Sequence, residues 1–128
     1  MNEDQLNTMS KKIISAAIEV HRNLGSGLLE HTYHAALMFE LKSQGLNAVS
    51  EVDIPFIYKG IKLDTAYRAD IIVENEIIIE LKSTEKDNPL HAKQLHTYLK
   101  ISGKRLGLLI NFNRSRLIDG LKRVVNNL

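Results

Sequence analysis

Arg68-Ala-Asp-Ile-Ile-Val-Glu-Asn-Glu-Ile-Ile-Ile-Glu-Leu-Lys82 decides the reading of the chain. Two short runs rich in β-branched residues flank Glu74-Asn75-Glu76, the pattern of two antiparallel strands joined by a tight turn. A turn centred on Asn75 pairs Ala69 with Leu81, Ile71 with Ile79 and Val73 with Ile77 on one apolar face. The other face pairs Ile72 with Ile78, Asp70 with Glu80 and Arg68 with Lys82. Carboxylates directly opposite each other have Cβ atoms about 5 Å apart and repel, so positive charge belongs between them. A divalent cation is one answer, because carboxylate oxygens are its preferred ligands. A plain charge quartet closed by Arg68 and Lys82 is the other, and from pairing alone it is the simpler one.

Alternation along a strand puts Glu80 and Lys82 on the same side. A site that cleaves phosphodiesters needs this grouping: carboxylates hold a cation, the cation acidifies a water, and an ammonium orients that water or stabilises developing charge. Working outward, Ser10 caps a first helix whose Ile13, Ile14, Ala17, Ile18, Val20 and Leu24 follow helical spacing, and Gly25-Ser-Gly27 breaks it. A second helix is expected from about Leu28 to Gln44, with Tyr33, Leu37 and Leu41 on one stripe and Gly45 as its stop. Glu30 heads that stripe. An acid facing a core needs a partner, whereas an acid at a helix start is favoured by the helix dipole alone.

Val52, Ile54, Phe56 and Tyr58 alternate as one strand, which Pro55 marks as an edge. Lys59-Gly60 turns into a strand expected from Ile61 to Val73. Beyond Lys82, Asn88-Pro89 opens a helix to about Ile101, closed by Gly103, and Arg105–Asn111 reads as a buried strand. Arg116–Val125 fits helix or strand. The order is ααβββαβ with an open C-terminal element, an α/β class in one domain spanning residues 1–128. On the helix after Asn88, His91, Gln94 and Tyr98 lie at i, i+3 and i+7. Gln94 and Tyr98 are placed to line a site edge and bond a substrate; the plainer reading packs the Tyr ring and leaves Gln in water. His91 reads as a surface or capping residue, and the remaining histidines lack the spacing of a zinc set.

The 128 residues contain no cysteine, which excludes disulfides, thiolate zinc, iron–sulfur clusters and a Cys nucleophile, and fits a reducing compartment. No apolar run nears the roughly 18 residues of a membrane span. The acidic start, Met1-Asn-Glu-Asp, is unlike a secretory signal, so a cytoplasmic location without a membrane partner is expected. The net charge of +2 is uneven. Residues 1–88 carry 9 Lys/Arg against 14 Asp/Glu, whereas residues 89–128 carry 8 against Asp119 alone. Such a basic end attracts polyanions or is simply solvated.

Together these residues resemble the PD-(D/E)XK nuclease superfamily, and within it the small GxxExxY group. The resemblance runs through Gly27-Leu-Leu-Glu30-His-Thr-Tyr33, Ile54-Pro55, Tyr67-Arg68-Ala69-Asp70, Glu80-Leu81-Lys82, Gln94-Leu-His-Thr-Tyr98-Leu99 and Asn111-Phe112. Ala69 stands where the superfamily's name has Pro. The resemblance implies a restriction-endonuclease-like fold, a central mixed sheet flanked by helices. It implies Mg²⁺ or Mn²⁺ held by Asp70, Glu80, the Leu81 carbonyl and Glu30, with Lys82 orienting the attacking water. Arg68, Gln94 and Tyr98 then position nucleic acid, with DNA the first expectation, while Tyr33 and His91 support the site. The chain is too short for a dedicated recognition domain, which suggests a homodimer or a larger assembly. The competing function is a nucleic-acid- or partner-binding module on the same fold without cleavage.

Overall fold

The computed structural model describes residues 1–64 and 67–128. Its elements are α1 (Glu3–Leu24), α2 (Glu30–Ser43), β1 (Ala48–Asp53), β2 (Phe56–Tyr58), β3 (Ile61–Leu63), β4 (Arg68–Val73), β5 (Ile77–Lys82), α3 (Pro89–Ser102), β6 (Leu106–Asn111), a 3₁₀ turn (Leu117–Gly120) and β7 (Leu121–Val125). The turn at Asn75 forms because Glu74 and Asn75 both take positive φ, 52° and 56°, matching the twist of the strands it joins. The resulting ladder pairs Ile71 with Ile79, Ile72 with Ile78 and Val73 with Ile77, in the expected register.

This pair sits inside a five-stranded mixed sheet ordered β1-β4-β5-β6-β7. β5 and β6 are parallel, and α3 supplies the crossover between them; the other neighbours are antiparallel. α1 and α2 cover one face, where Ile13, Ala17, Leu37 and Leu41 pack over Ile71, Ile79, Leu81 and Leu108. α3 covers the other, where Leu95, Tyr98 and Leu99 pack over Ile72 and Ile78. β5 is therefore buried on both faces, the reason it reads as an unbroken apolar run rather than an alternation.

Three expectations change, and the open C-terminal element is resolved. α1 starts at Glu3 rather than after Ser10: Asn2 and Gln5 form a reciprocal capping box, and Ser10 is buried inside the helix. The strand expected through Val52–Tyr58 is two strands in different sheets, parted at Pro55, which cannot donate to a ladder. The strand expected from Ile61 to Val73 is likewise β3 and β4; residues 65–66 of that span lie outside the described residues. The ambiguous tail is a 3₁₀ turn and an edge strand. A Cβ at Gly120 would stand 1.9 Å from the Asn111 carbonyl oxygen, so only glycine lets this turn press against β6.

Candidate active site

The start of β4 and the end of β5 lie together at one edge of the sheet, and there the ladder opens. Pairing stops at Ile71–Ile79. Beyond it, an Asp70 carboxylate oxygen, Oδ2, accepts the Leu81 N–H at 2.8 Å, taking the place of a strand carbonyl. On the other side of Asp70, the β1 register brackets it with Ser50–Ile71 and Val52–Ala69, and the intervening Glu51 has φ of 52°. The strand's alternation breaks at this point: Ala69 packs with Ile72 and Ile78 under α3. It does not join Ile71 and Leu81 on the opposite face, where regular alternation had placed it.

Glu80 projects into the opening. It is 7% exposed, and its Oε1 is buried with no hydrogen-bond partner among the described residues. Burial, a hydrogen bond that its protonated carboxyl donates to the Asp70 carboxylate and that neighbour's charge push its carboxyl up to about 9, against a smaller opposing pull from Lys82. Lys82 is half-buried at the strand end, and its charge also lowers the carboxyl of Glu30 and the imidazole of His91. The charge quartet does not form. Arg68 turns away to β1, where its Nε meets Asp53 at 3.1 Å and its Nη1 meets Glu51 at 3.8 Å.

Glu30 is the first residue of α2 and is exposed, unlike Tyr33, Leu37 and Leu41 on the stripe it was expected to share. Partial burial raises its carboxyl; Lys82 pulls it down and Asp70 pushes it up, so the three groups sense one another. Among the described residues, no three His, Cys, Asp or Glu side chains gather closely enough to hold a metal. The structure brings Asp70 and Glu80 together and leaves Glu30 at their margin.

Tyr33 explains why the Gly27-to-Tyr33 spacing matters. Its hydroxyl donates to the Gly25 carbonyl at 2.6 Å and accepts the Leu28 N–H at 3.1 Å, latching the loop that enters α2. The ring stacks on Phe112 at 4.5 Å, and Gly27 holds φ of 93° within the latched loop. Ser83 donates to the Leu28 carbonyl at 2.6 Å, tying the loop to the residue after Lys82. Glu30 and Lys82 are thereby fixed relative to each other through backbone.

Asn111, a motif position, and Arg114, one of the 8 Lys/Arg of residues 89–128, both brace the segment after β5. The buried Asn111 amide donates to the Thr84 carbonyl and to Asp87, and its oxygen accepts the Thr84 and Asn113 N–H groups. Arg114 meets Asp87 at 2.7 Å. A buried Asn at a strand end has no period to betray it, so pattern alone misses this role. His91 and Lys82 line a cleft of about 340 Å³ between α3 and β7. Gln94 is exposed on α3. Tyr98 is buried and set edge-on to Tyr67, so its ring is core and only its hydroxyl faces the Arg68 backbone and Glu80.

The basic C-terminal third is largely committed to the chain itself. Lys104 binds Asn75, Arg105 the Met1 carbonyl, Arg114 Asp87, Arg116 Asp119 and Arg123 Asn7. Lys93, Lys100 and Lys122 are exposed, with no such partner among the described residues.

A family model described as the PD-(D/E)XK nuclease superfamily matches residues 7–124. The chain belongs to that superfamily. Its sheet and flanking helices are restriction-endonuclease-like, and the open edge between β4 and β5 is where Asp70, Glu80 and Lys82 meet. Superfamily nucleases act on nucleic acid and generally use divalent metals such as Mg²⁺. Among solved structures the chain is similar to that of SSO0001, with 27% identity and a TM-score of 0.58 over 77% of this chain and 51% of that one. It thus spans about half the length of that relative. It is also similar to an alkaline exonuclease (LHK-Exo) from Laribacter hongkongensis, with 13% identity and a TM-score of 0.45 over 92% of this chain and 82% of that one. No curated protein matches it in sequence. Among the described residues, no helix is long and apolar enough to cross a membrane.

Proposed function

We propose that residues 1–128 form one GxxExxY-type domain that hydrolyses phosphodiester bonds of nucleic acid, DNA first, with Mg²⁺ or Mn²⁺. The observation that carries this reading is Glu80 Oε1, a buried acceptor without a donor among the described residues, in a carboxyl set beside Asp70 and Lys82. Leaving such an atom unsatisfied costs roughly 1–3 kcal/mol, a cost a bound cation removes. Mg²⁺ keeps several waters and needs only one or two carboxylates, so the gathered pair suffices. Asp70 and Glu80 are the side-chain ligands in this reading. The Leu81 carbonyl joins them, since the Leu81 N–H already faces the opening. Glu30 is a third acid within electrostatic reach.

A cation held there supplies a water acidified toward neutral pH and neutralises charge on the phosphate. Lys82 donates to the attacking water, aims it at phosphorus and stabilises the negative charge that builds up. Arg68, held by β1 acids yet exposed, and Gln94, exposed on α3, offer donors to the substrate backbone. Tyr98 acts by positioning the Arg68 segment. Tyr33 holds the Glu30 loop, and His91 stands beside Lys82 in the cleft. The domain works in the cytoplasm, as a homodimer or within a larger assembly.

The test is degradation of labelled single- and double-stranded DNA and RNA with Mg²⁺ or Mn²⁺, with Lys82→Ala in parallel. Cleavage lost in Lys82→Ala supports the reading; cleavage retained in it points to a contaminant. Saturable metal binding without cleavage of any substrate favours the binding module.

A further inference from the structure

The β2–β3 hairpin leaves the sheet after β1 and returns into β4, at the edge that carries Asp70, Glu80 and Lys82. Among the described residues its strands pair with each other and with no strand of the main sheet. Lys59 and Gly60 turn it, with φ of 50° and 78°. Opposed residues share a face, so the pairs Phe56–Leu63 and Tyr58–Ile61 form an apolar side and Ile57–Lys62 the reverse. Tyr58 is 53% exposed and Ile61 64%. A small ribbon that presents this much apolar surface to water marks a place where something binds.

Two further features say what. A run of aromatic rings leads from the hairpin to the carboxylates. Tyr58 stacks with Phe56 at 6.5 Å, Phe56 meets Tyr67 edge-on at 6.3 Å, and Tyr67 meets Tyr98 at 5.7 Å. Along it the rings pass from exposed to half-buried to buried, ending at a hydroxyl that feels Glu80 and Asp70. The charge of the hairpin is the second feature. Residues 54–63 hold Lys59 and Lys62 and no acid, and the Lys59 ammonium lies 5.5 Å from the Tyr58 ring centroid. Of the acids at its feet, Asp53 is already bound by Arg68, which leaves Asp64. Flat apolar faces combined with cations suit a ligand that has flat faces and negative charge. Single-stranded nucleic acid has both, because each unpaired base offers a π-face and each link a phosphate. A duplex hides its base faces inside its own stack.

We infer that the Phe56–Tyr58–Ile61–Leu63 face, continued by Tyr67, is a base-stacking platform that receives single-stranded nucleic acid and leads it to the Asp70–Glu80–Lys82 edge. The inference rests on the nuclease reading above and adds to it a preferred strandedness and an entry side.

The chain contains no tryptophan, so Tyr58→Trp places a single indole on the platform. Titration with unlabelled oligothymidylate of about 20 nucleotides, in Ca²⁺ to hold turnover, is expected to quench that indole saturably, whereas the matching duplex is not. The double variant Tyr58→Ala/Ile61→Ala removes exposed side chains only. It is expected to keep its fold and its Mg²⁺-dependent stabilisation while binding the oligonucleotide about tenfold or more weakly. If the wild type binds and degrades oligonucleotides, yet the indole stays unquenched and the double variant binds as tightly, the platform is overturned and the nuclease reading stands. If the wild type neither binds nor degrades any oligonucleotide, both fall. Sedimentation of wild type and double variant covers the remaining occupant: a concentration-dependent dimer lost on substitution, with oligonucleotide affinity unchanged, overturns the platform in favour of a second copy of the chain.

Discussion

The two ends of the β4–β5 pair share the same strands and the same β-branched composition, yet differ in what closes them. At the Asn75 turn the ladder is complete, and Val73 and Ile77 are fully buried apolar partners. Three residues further on, a carboxylate stands in for a backbone carbonyl, the alternation of β4 slips, and a carboxyl is buried with an oxygen unmatched. The closed end holds the strands in place through burial. The open end spends part of that stability to keep two acids and a lysine at one spot. Chemistry requires groups that folding alone would not choose.

The largest break in this comparison is expected at the open end. Asp70→Asn keeps an acceptor for Leu81 but removes one of the two gathered carboxyl groups. Metal-dependent cleavage should fall by about a thousandfold or more, while the melting temperature in chelator holds or rises. A gel-based degradation assay beside thermal unfolding reads both.

The converse variant, Ile79→Ala, empties a fully buried position in the ladder and should cost about 2–5 kcal/mol in denaturant unfolding. Cleavage measured well below its melting temperature should survive. Comparable loss of cleavage in both variants would show that the two ends are not separable.

Glu80→Gln sharpens the contrast through pH. The Glu80 carboxyl is held at about 9 against an ordinary 4.5, so the folded state keeps a proton that the unfolded chain releases. The contribution of Glu80 to the stability of the metal-free protein is therefore fullest below about pH 4.5 and declines as pH rises toward 9. Glu80→Gln should flatten that decline, gain about 2 kcal/mol near pH 8 without metal, and lose stabilisation by Mg²⁺. Melting curves across pH, with and without Mg²⁺, check all three; an unchanged slope would show that Glu80 is ionised in the fold.

The smallest effect is expected at the latch. Tyr33→Phe keeps the stack on Phe112 and removes two hydrogen bonds from the Gly25–Leu28 loop, a loss of about 1 kcal/mol. Cleavage should drop severalfold through a loosened Glu30 loop, with faster amide exchange at Leu28 as the structural readout.

Much of this was legible because it is local. The Asn75 turn, the register of its first three pairs, the Asn88 cap, the Gly103 stop and the apolar stripe of α2 each follow from residues within a few positions of one another. The grouping of Asp70, Glu80 and Lys82 followed from strand alternation and turn position. Where the reading went astray, a distant partner overrode the pattern. Regular alternation assigned Ala69 to the wrong face because the slip at Asp70 depends on Leu81 and β1. Arg68 was paired with Lys82's end of the hairpin because the acids of β1 that claim it lie 15 or more positions earlier. The basic end looked free because its partners, Met1, Asn7, Asn75 and Asp87, lie far away in sequence.

By itself, then, the sequence determined which segments become strands around the turn, which side chains carry charge, and which acids and lysine fall on the same side of β4 and β5. Spacing and side-chain chemistry act over a few residues and need no knowledge of the rest. Only the tertiary structure decided how deeply each charge is buried and whom it meets. That is why Glu80 Oε1 is left without a partner among the described residues while Arg68 is paired, why Tyr33 serves as a latch, and why Phe56 and Tyr58 stack on a hairpin outside the main sheet. Burial and partnership are properties of surfaces brought together from across the chain, and no local pattern encodes them.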